Sequence, residues 1–352
     1  MRHQRKGVDL VTTTQLQTWL LTIHESLTRV VAIINGKGGV GKTSITANVG
    51  GELADRGLKV LVMDCDLSGN LRLDLGYDEH PGNDFGKSIV QAIMGGLPLK
   101  VIQDVRPNLD VVPGGRALKM VNKLASDESF AEELEGGSVG TAFAAALART
   151  VTEGEYDMVL IDCAPGNPEL QEMVLTASRY VLIPTKSDPG GWDGLKGVGP
   201  LVKRVRQNNP LLTYLGIVLF GHSPSATRVL ENTKAQLSEV TETVPFFDSY
   251  IRHSAATAHD TRLRGQLARE LSRDARTLAR ERDKALKRAA ELKAQRNEVG
   301  DDLSNVIEDA PMVSSVAGVS GDVADDYAGL GREIVKRIAA EEKKAAAAAE
   351  EK

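Results

Sequence analysis

Cysteine is scarce in this sequence of 352 residues, with two residues in all, and aromatic side chains make up only 4%. Two cysteines cannot build the disulfide framework of a small secreted domain, so we expect a reducing, cytoplasmic environment. Cys65 and Cys163 both lie in apolar runs typical of buried strands. Two lone cysteines also do not make a zinc site, and their position in strands argues against a bridging metal cluster.

Long hydrophobic runs are also missing. No window approaches the roughly 18 apolar residues that a membrane-spanning helix requires. The apolar cluster near the N-terminus, WLLTI, is too short for the core of a signal peptide. The formal net charge of −5 by itself neither indicates nor excludes a nucleic-acid partner. We therefore expect a soluble intracellular protein.

The sequence does contain a regular alternation of β-rich apolar runs and helical segments. The apolar runs are RVVAII, KVLVMDCD, LDVVPG, YDMVLIDCAPG, YVLIPT and YLGIVLFG. Runs that are apolar on both faces and separated by helices are typical of a parallel sheet covered on both sides. The predicted fold class is therefore α/β, with a doubly wound, mostly parallel sheet.

We divide the chain into four parts by composition and periodicity. Apolar residues at helical spacing near the N-terminus predict a short docking helix, and a second amphipathic helix closes the main domain. The parts are a docking helix (1–29), an α/β domain (30–261 plus 313–342), an inserted charged helical segment (262–312) and a flexible Ala/Glu/Lys tail (343–352). On the closing helix we expect one apolar face formed by Tyr327, Leu330, Ile334, Val335 and Ile338.

The inserted segment differs from the rest of the chain in charge. Residues 262–297 contain 12 Lys or Arg against 5 Asp or Glu, an excess of +7, which leaves −12 for the remainder. Such a basic helix fits contact with the phosphate backbone of DNA. Its leucine seam equally fits a coiled-coil arm for self-association or partner docking, and a solvated helix without a partner is the third interpretation that the sequence leaves open. The seam consists of Leu263, Leu267, Leu271, Leu278 and Leu286.

A glycine-rich turn follows the first apolar run, in the stretch VVAIINGKGGVGKTSITANV. It matches the phosphate-binding loop pattern, in which glycines let backbone N–H groups converge on phosphate oxygens ahead of a helix N-terminus. We expect Lys42 to neutralise the β- and γ-phosphates of ATP and the Thr43 hydroxyl to bind Mg²⁺. The predicted nucleotide-binding residues are Gly36, Lys37, Gly38, Gly39, Val40, Gly41, Lys42, Thr43 and Ser44.

Three aspartates stand at the ends of two apolar runs, Asp64 and Asp66 in VLVMDCDLSGN and Asp162 in MVLIDCAPG. The carboxyl ends of parallel strands form the edge where open α/β sheets bind ligands. Because Asp64 and Asp66 are two residues apart, we expect both to point toward the phosphates. We assign Asp64 and Asp162 to Mg²⁺ and Asp66 to the water that attacks the γ-phosphate.

The three motifs KGGVGKT, DCDLSGN and LIDCAPG together resemble the ParA/MinD family of deviant Walker-motif ATPases. The resemblance spans residues 30–258 and resumes at 324–340, where DDYAGLGREIVKRI is similar to the closing helix of the family. Lys37 stands where that family has its signature lysine. The resemblance implies that Lys37 reaches across an ATP-bound homodimer and contacts the phosphates held by the other subunit.

Within the family, the partition branch fits best. The resemblance to ParA and Soj proteins implies an ATPase that partitions plasmid or chromosome cargo at the nucleoid. It also implies nonspecific DNA binding by the ATP dimer and release on hydrolysis stimulated by a ParB-type partner. YIRHSAATA and SATRVL resemble arginine-bearing regions of these proteins, which makes Arg252 and Arg228 the candidate DNA-binding residues.

Two alternatives remain beside this interpretation. One is an ATP-switched spatial regulator at a membrane surface, as in MinD, which needs a C-terminal amphipathic helix with bulky apolar residues. The last residues here are alanine, glutamate and lysine, so we expect no membrane partner. The other is a DNA-binding scaffold whose nucleotide site is inactive, which a measured ATP turnover would eliminate.

Overall fold

The computed structural model describes residues 13–187, 189–222, 244–295 and 316–350. These residues form one eight-stranded sheet flanked by helices. The strands are β1 (Val30–Ile33), β2 (Val60–Cys65), β3 (Ile102–Arg106), β4 (Leu109–Val112), β5 (Met158–Cys163), β6 (Tyr180–Thr185), β7 (Thr213–His222) and β8 (Phe246–Arg252). The helices are α1 (Thr13–Ser26), α2 (Lys42–Ala54), α3 (Leu71–Leu75), α4 (Lys87–Gly95), α5 (Lys119–Ser126), α6 (Glu128–Ala131), α7 (Val139–Gly154), α8 (Pro168–Thr176), α9 (Pro189–Val205), α10 (Ala255–Arg264), α11 (Ala268–Gln295) and α12 (Val316–Glu350).

The sheet has the strand order β3-β4-β2-β5-β1-β6-β7-β8. Its strands pair in parallel except for β3, which runs antiparallel to β4 at one edge. The predicted α/β class with a mostly parallel sheet is therefore confirmed. The two edge strands β3 and β8 were not predicted, because neither has the continuous apolar run of a central strand.

Alternation along the central strands divides the core into two layers. In β1, Val30 and Ala32 pack into one buried cluster, while Val31 and Ile33 pack into the cluster on the opposite face. Successive side chains of a strand point to opposite faces, so a strand covered on both sides must be apolar throughout. This explains why the strands at the centre of the sheet were the easiest to predict.

Helix α1 lies against α7 on one face of the sheet. Leu20 and Ile23 are buried there, and the ring of His24 lies 2.8 Å from the Thr176 carbonyl oxygen, measured from Nε2. Burial lowers the pKa of His24, so its ring is neutral at the helix contact near neutral pH. The N-terminal helix is thus part of the packed domain.

The predicted single helix over 262–297 is divided in the structure. Gly265, with φ of +60°, ends α10, and α11 starts at Ala268. Leu263 therefore does not belong to the leucine seam, and it is 72% exposed. Leu267 and Leu271 are buried in the core of the α/β domain. The early part of the predicted insert is hence a component of that domain.

The closing helix α12 packs along β8, α2 and α11. Tyr327, Leu330, Ile334 and Ile338 are buried as predicted, but Val335 is 37% exposed, because it is one residue out of the 3.6-residue repeat. The helix continues to Glu350 through the segment predicted to be a flexible tail, since alanine, glutamate and lysine are all strong helix formers. Among the described helices, none has both the length and the apolar composition of a membrane span.

Candidate nucleotide site

The glycine-rich loop between β1 and α2 is fixed at its first residues by Asn35. The Asn35 amide donates from Nδ2 to the Pro184 carbonyl oxygen of β6 over 2.8 Å. Its Oδ1 accepts the backbone N–H of Lys37, also at 2.8 Å. Gly194 of α9 packs against the same side chain, where a Cβ atom would lie 2.0 Å from the Asn35 Oδ1. The loop is therefore held to the sheet before it turns toward the helix.

Glycine is required where the loop enters α2. Gly41, directly before the helix, has φ of +89°, and an added Cβ there would lie 2.2 Å from the ring of Phe220. Both the left-handed backbone and the close ring exclude other residues. No side chain caps the start of α2, and its first turn contains no acidic residue. Backbone N–H groups without a capping side chain make this helix N-terminus suited to an anion.

Lys42 lies at this helix start and is only 5% exposed. Its ammonium group donates to the Lys37 carbonyl oxygen, with 2.9 Å between Nζ and the oxygen. Burial lowers the pKa of Lys42, and the nearby Asp162 opposes that shift. A phosphate bound in the loop would stabilise the charged form of this partly desolvated cation.

Thr43 and Asp162 join the loop to the end of β5. The Thr43 hydroxyl donates to Oδ2 of Asp162 over 2.6 Å. The other oxygen of Asp162, Oδ1, is buried without a hydrogen-bond partner in the described structure. Burial first, and then the charge of Asp64, raises the pKa of Asp162, whereas the Thr43 hydrogen bond opposes that shift.

This donor set fits a magnesium ion that arrives with a nucleotide. Mg²⁺ prefers hydroxyl, carboxylate, phosphate and water oxygens, and it usually binds through only one or two protein groups. The described residues contain no cluster of three or more His, Cys, Asp or Glu side chains able to hold a metal alone. The Thr43 hydroxyl and the unpaired Asp162 oxygen are therefore the protein groups available, and phosphate and water would supply the rest.

Asp64 lies beside Asp162 in the sheet register but has different contacts. Its Oδ1 accepts the backbone N–H of Asp66 at 2.9 Å, and its Oδ2 accepts that of Leu71 at 3.0 Å. Both oxygens therefore hold the loop that follows β2. The metal assignment of Asp64 stays a prediction, and the observed contacts favour a role as the anchor of this loop.

Asp66 directly follows the last residue of β2, and its orientation toward the phosphates stays a prediction. Its Oδ1 accepts the backbone N–H of Ser68 at 2.9 Å, which closes a tight turn at the mouth of the site. The residue is half-buried, while Asp64 is fully buried. Asp66 is consequently the more accessible carboxylate of the pair, as a group that orients water must be.

Ser44 connects the loop to the outer helices. Its hydroxyl lies near the buried Asp74 of α3 and Tyr327 of α12, where it lowers the pKa of each group against the larger, opposite effect of burial. Asp74 in turn accepts from Nε of Arg262 at 3.1 Å, across to α10. A cavity of about 160 Å³ lies beside this network, at the start of α2. Its lining includes Ser44, Lys186, Phe220, His253 and Tyr327.

The two arginines predicted to bind DNA have different outcomes. Arg228 lies outside the described residues. Arg252, at the end of β8, donates to Asp326 from Nε at 2.8 Å and from Nη2 at 2.9 Å, and it also pairs with Asp322 at 2.7 Å. These carboxylates raise the pKa of Arg252 and neutralise its charge locally. Its observed role is to fasten β8 to α12.

Sequence reasoning missed three residues of the site, namely Asn35, Asp74 and Phe220. The asparagine directly after a buried strand was a readable signal, because a polar side chain there must find a hydrogen-bond partner. The other two come from segments far along the chain, and no local pattern marks them.

Comparison of the amino-acid sequence with known proteins identifies a matching family and several relatives. Residues 28–214, more than half of the chain, match the model of a family described as an AAA domain. The chromosome partitioning protein ParA of Caulobacter vibrioides is 32% identical over 197 residues, covering 54% of this chain and 68% of ParA. The chromosome-partitioning ATPase Soj of Thermus thermophilus is 28% identical, covering 59% of this chain and 75% of Soj.

Solved structures with a similar fold are also found. A cobyrinic acid a,c-diamide synthase from Mycobacterium smegmatis with bound ADP and magnesium has a TM-score of 0.53 at 25% identity, covering 67% of this chain and 92% of that one. The apo McdA structure from Cyanothece has a TM-score of 0.56 at 21% identity, covering 69% of this chain and 92% of that one, and supports the fold alone.

Proposed function

Because this chain belongs to the ParA/MinD family of P-loop ATPases, we propose that it uses ATP hydrolysis to switch between an ATP-bound dimer on DNA and a released form. The family relationship makes it a partition or positioning ATPase. The observation that carries the proposal is the pairing of the Thr43 hydroxyl with an Asp162 carboxylate whose second oxygen is buried and unpartnered. A buried oxygen without a partner lowers the stability of the folded protein unless a cation or a water molecule binds to it.

The chemistry assigned to the site follows from its geometry. Backbone N–H groups of the loop and the ammonium of Lys42 would hold the phosphates of ATP. Magnesium, when bound with the nucleotide, supplies charge neutralisation at the phosphates, and Thr43 with Asp162 would hold it there. Asp66 would orient the attacking water. Phosphoryl transfer needs little from the protein beyond such positioning and electrostatic stabilisation.

Lys37 is the residue to which we assign the coupling of ATP occupancy to assembly. Its backbone is held on both sides, by Asn35 through the N–H and by Lys42 through the carbonyl oxygen. The residue itself is exposed at the tip of the loop, where a second subunit could approach. A cation given by each subunit to the γ-phosphate of the other would favour the dimer with ATP over the dimer with ADP.

The cargo and partners belong to the same proposal. The names of the relatives ParA and Soj refer to chromosome partitioning, which supports DNA as the substrate surface and a nucleoid location. By the resemblance to partition proteins, a ParB-type centromere-binding protein would stimulate hydrolysis and so release the dimer.

The membrane-surface alternative has no comparable support in the described residues. Ile334 and Ile338 of α12 are buried in the core, so this side of the helix is not available to lipid. The exposed residues 343–350 contain only lysine, alanine and glutamate. An interfacial helix needs bulky apolar side chains beside its charged face.

The experiment compares Lys37→Ala with Lys42→Ala, and Lys203→Ala serves as an exposed control. We expect Lys37→Ala to weaken the ATP-dependent dimer at least about tenfold, or about 1.4 kcal/mol, while ATP affinity of the monomer stays close to that of the wild type. Lys42→Ala should lose ATP affinity itself. Analytical ultracentrifugation and nucleotide titration measure the two quantities, and an equal loss of both in Lys37→Ala would contradict the cross-subunit role.

A further inference from the structure

Helix α11 carries a row of cations along one side. Arg273, Arg276, Arg280, Lys284 and Lys287 are spaced by three or four residues, and we call them the basic stripe. At 3.6 residues per turn they occupy about a quarter of the helix circumference. All five are exposed. With a rise of about 1.5 Å per residue, the stripe is about 21 Å long.

Packing on the other side of α11 fixes the direction of this stripe. Leu267, Ala268 and Leu271 are buried in the α/β core. Arg106 of β3 clamps the first turn, with Nε and Nη2 each 2.9 Å from a carboxylate oxygen of Glu270. The helix is therefore anchored at its N-terminal end, and its cations are held on the outer surface.

The stripe is only partly neutralised by acidic neighbours. Lys287 pairs with Asp283 at 2.9 Å, and Arg273 lies 4.0 Å from Asp55. Within the part of the chain that the structure describes, Arg276, Arg280 and Lys284 make no ion pair shorter than 4 Å. These three central cations are thus available to a ligand.

A groove of about 520 Å³ runs beside the stripe, between α11, α12 and the end of α2. Arg276 and Arg280 line it. Of the three carboxylates in its wall, Glu52 and Asp55 already pair with Arg269, which leaves Asp325. The groove gives an anionic ligand room to approach the guanidinium groups from the side.

The shape of the charge distribution favours an extended polyanion. Residues 262–297 carry +7 while the rest of the chain carries −12, so a polyanion is attracted here and repelled elsewhere. Duplex DNA carries a negative charge for about every 1.7 Å of its axis, which suits a row of cations better than a compact anion does. No aromatic residue lies in 262–297, so base stacking is not available and the contact would be independent of sequence.

We propose that the basic stripe of α11 is the surface that binds the phosphate backbone of duplex DNA. This inference rests on the proposed function and names the surface that it requires, in place of Arg252, which Asp326 and Asp322 neutralise. The competing coiled-coil interpretation loses support because Leu267 and Leu271 are buried within the domain. Beyond these two, α11 contains only Leu278, which is half-buried, and Leu286, which is 42% exposed, from the predicted seam, and two leucines eight residues apart do not make a heptad repeat.

The test removes three charges from the stripe and three from elsewhere. The stripe variant is Arg276→Gln, Arg280→Gln and Lys284→Gln. The matched control is Arg282→Gln, Arg264→Gln and Lys203→Gln, which changes the net charge equally at exposed positions off the stripe. Binding to a 40-base-pair duplex is followed by fluorescence anisotropy with ATP and Mg²⁺, between about 50 and 200 mM salt.

We expect the stripe variant to bind at least about tenfold more weakly at 100 mM salt. The slope of log K against log salt should become shallower by about 0.9 for each phosphate that the variant no longer neutralises. The control should stay within about threefold of the wild type, because it changes only the overall charge. ATP turnover without DNA should be unchanged in both, which verifies folding.

Several outcomes would overturn the assignment. If the wild type binds DNA and both variants bind equally well, the stripe is not the surface, and the proposed function survives. If the wild type binds no duplex with any nucleotide, the inference and the DNA part of the proposed function fail together. Loss of ATP-dependent self-association, or of binding to phosphatidylserine vesicles, with DNA affinity intact would instead assign the stripe to a protein or a lipid surface.

Discussion

The ends of strands β2 and β5 are nearly identical in sequence and differ in what they do. Each strand ends in Asp-Cys, and in the parallel register Asp64 lies beside Asp162 and Cys65 beside Cys163. All four residues are fully buried. Both carboxylates have a raised pKa, chiefly because burial disfavours their charged form. Position, burial and residue type therefore do not distinguish the two sites.

Their hydrogen-bond partners do distinguish them. Asp64 receives two backbone N–H groups from its own loop, whereas Asp162 receives the Thr43 hydroxyl and keeps one oxygen unpaired. The loop after β4 also closes over β2, since a Cβ at Gly114 would lie 1.9 Å from the Asp64 carbonyl oxygen. At the end of β2, both oxygens of Asp64 are used to hold its own loop. At the end of β5, Asp162 has one oxygen that can still accept a bond from a ligand. A buried carboxylate at a strand end is a site candidate only when its acceptors are not already used.

The largest effect should come from Asp162→Asn. This change keeps an acceptor for Thr43 but removes the charge that supports the metal, so we expect ATP turnover to fall about 10- to 100-fold. Turnover measured against Mg²⁺ concentration checks this, with Asp64→Asn as the matched control at the neighbouring strand end. A similar loss in Asp64→Asn without any loss of stability would mean that the two ends are equivalent.

Asp64→Ala should act on stability. It leaves the N–H groups of Asp66 and Leu71 without their acceptors, and each orphaned buried group costs about 1–3 kcal/mol. We therefore expect the free energy of unfolding of the nucleotide-free protein to fall by at least that amount in denaturant titration. Asp64→Asn, which retains one amide oxygen, should lose less, and an unchanged midpoint in Asp64→Ala would refute the anchor role.

The smallest expected effect is a dependence on pH. Burial raises the pKa of Asp64 to about 7, whereas a carboxyl in the unfolded chain titrates near 3.9. The folded state then binds more protons between these values, so this group's contribution to stability falls as the pH rises through that window. Between pH 5.5 and 7.5, nucleotide-free wild type should lose more stability than Asp64→Asn. Denaturant titrations at the two pH values measure this change in the free energy of unfolding. An equal change in wild type and in Asp64→Asn would contradict the raised pKa of Asp64.

Much of the fold followed from local pattern. The central strands β1, β2, β5 and β6 could be predicted because they are continuous apolar runs. Both faces of such a strand are covered, so its side chains must be apolar on both faces. The glycine-rich loop could equally be predicted. Its glycines are required by the structure, since Gly41 has a left-handed backbone and a Cβ atom at that position would collide with Phe220. The end of α10 at Gly265 was missed. Strong helix formers lie on both sides of this glycine, and they favour one continuous helix over two. Strands β3 and β8 were missed because each has a neighbouring strand on one side only. An edge strand of this kind is less buried and lacks the continuous apolar run of a central strand.

The amino-acid sequence by itself determined the parallel sheet, the phosphate-binding loop and the excess of cations in 262–297, because each depends on residues that are neighbours along the chain. Only the tertiary structure decided that Asp162 keeps a free oxygen, that Asp326 neutralises Arg252 and that the basic stripe of α11 faces outward. Thr43 lies 119 residues from Asp162, and Arg252 lies 74 from Asp326. Hydrogen bonds and ion pairs over such separations depend on how the helices pack on the sheet, and no local pattern encodes that packing.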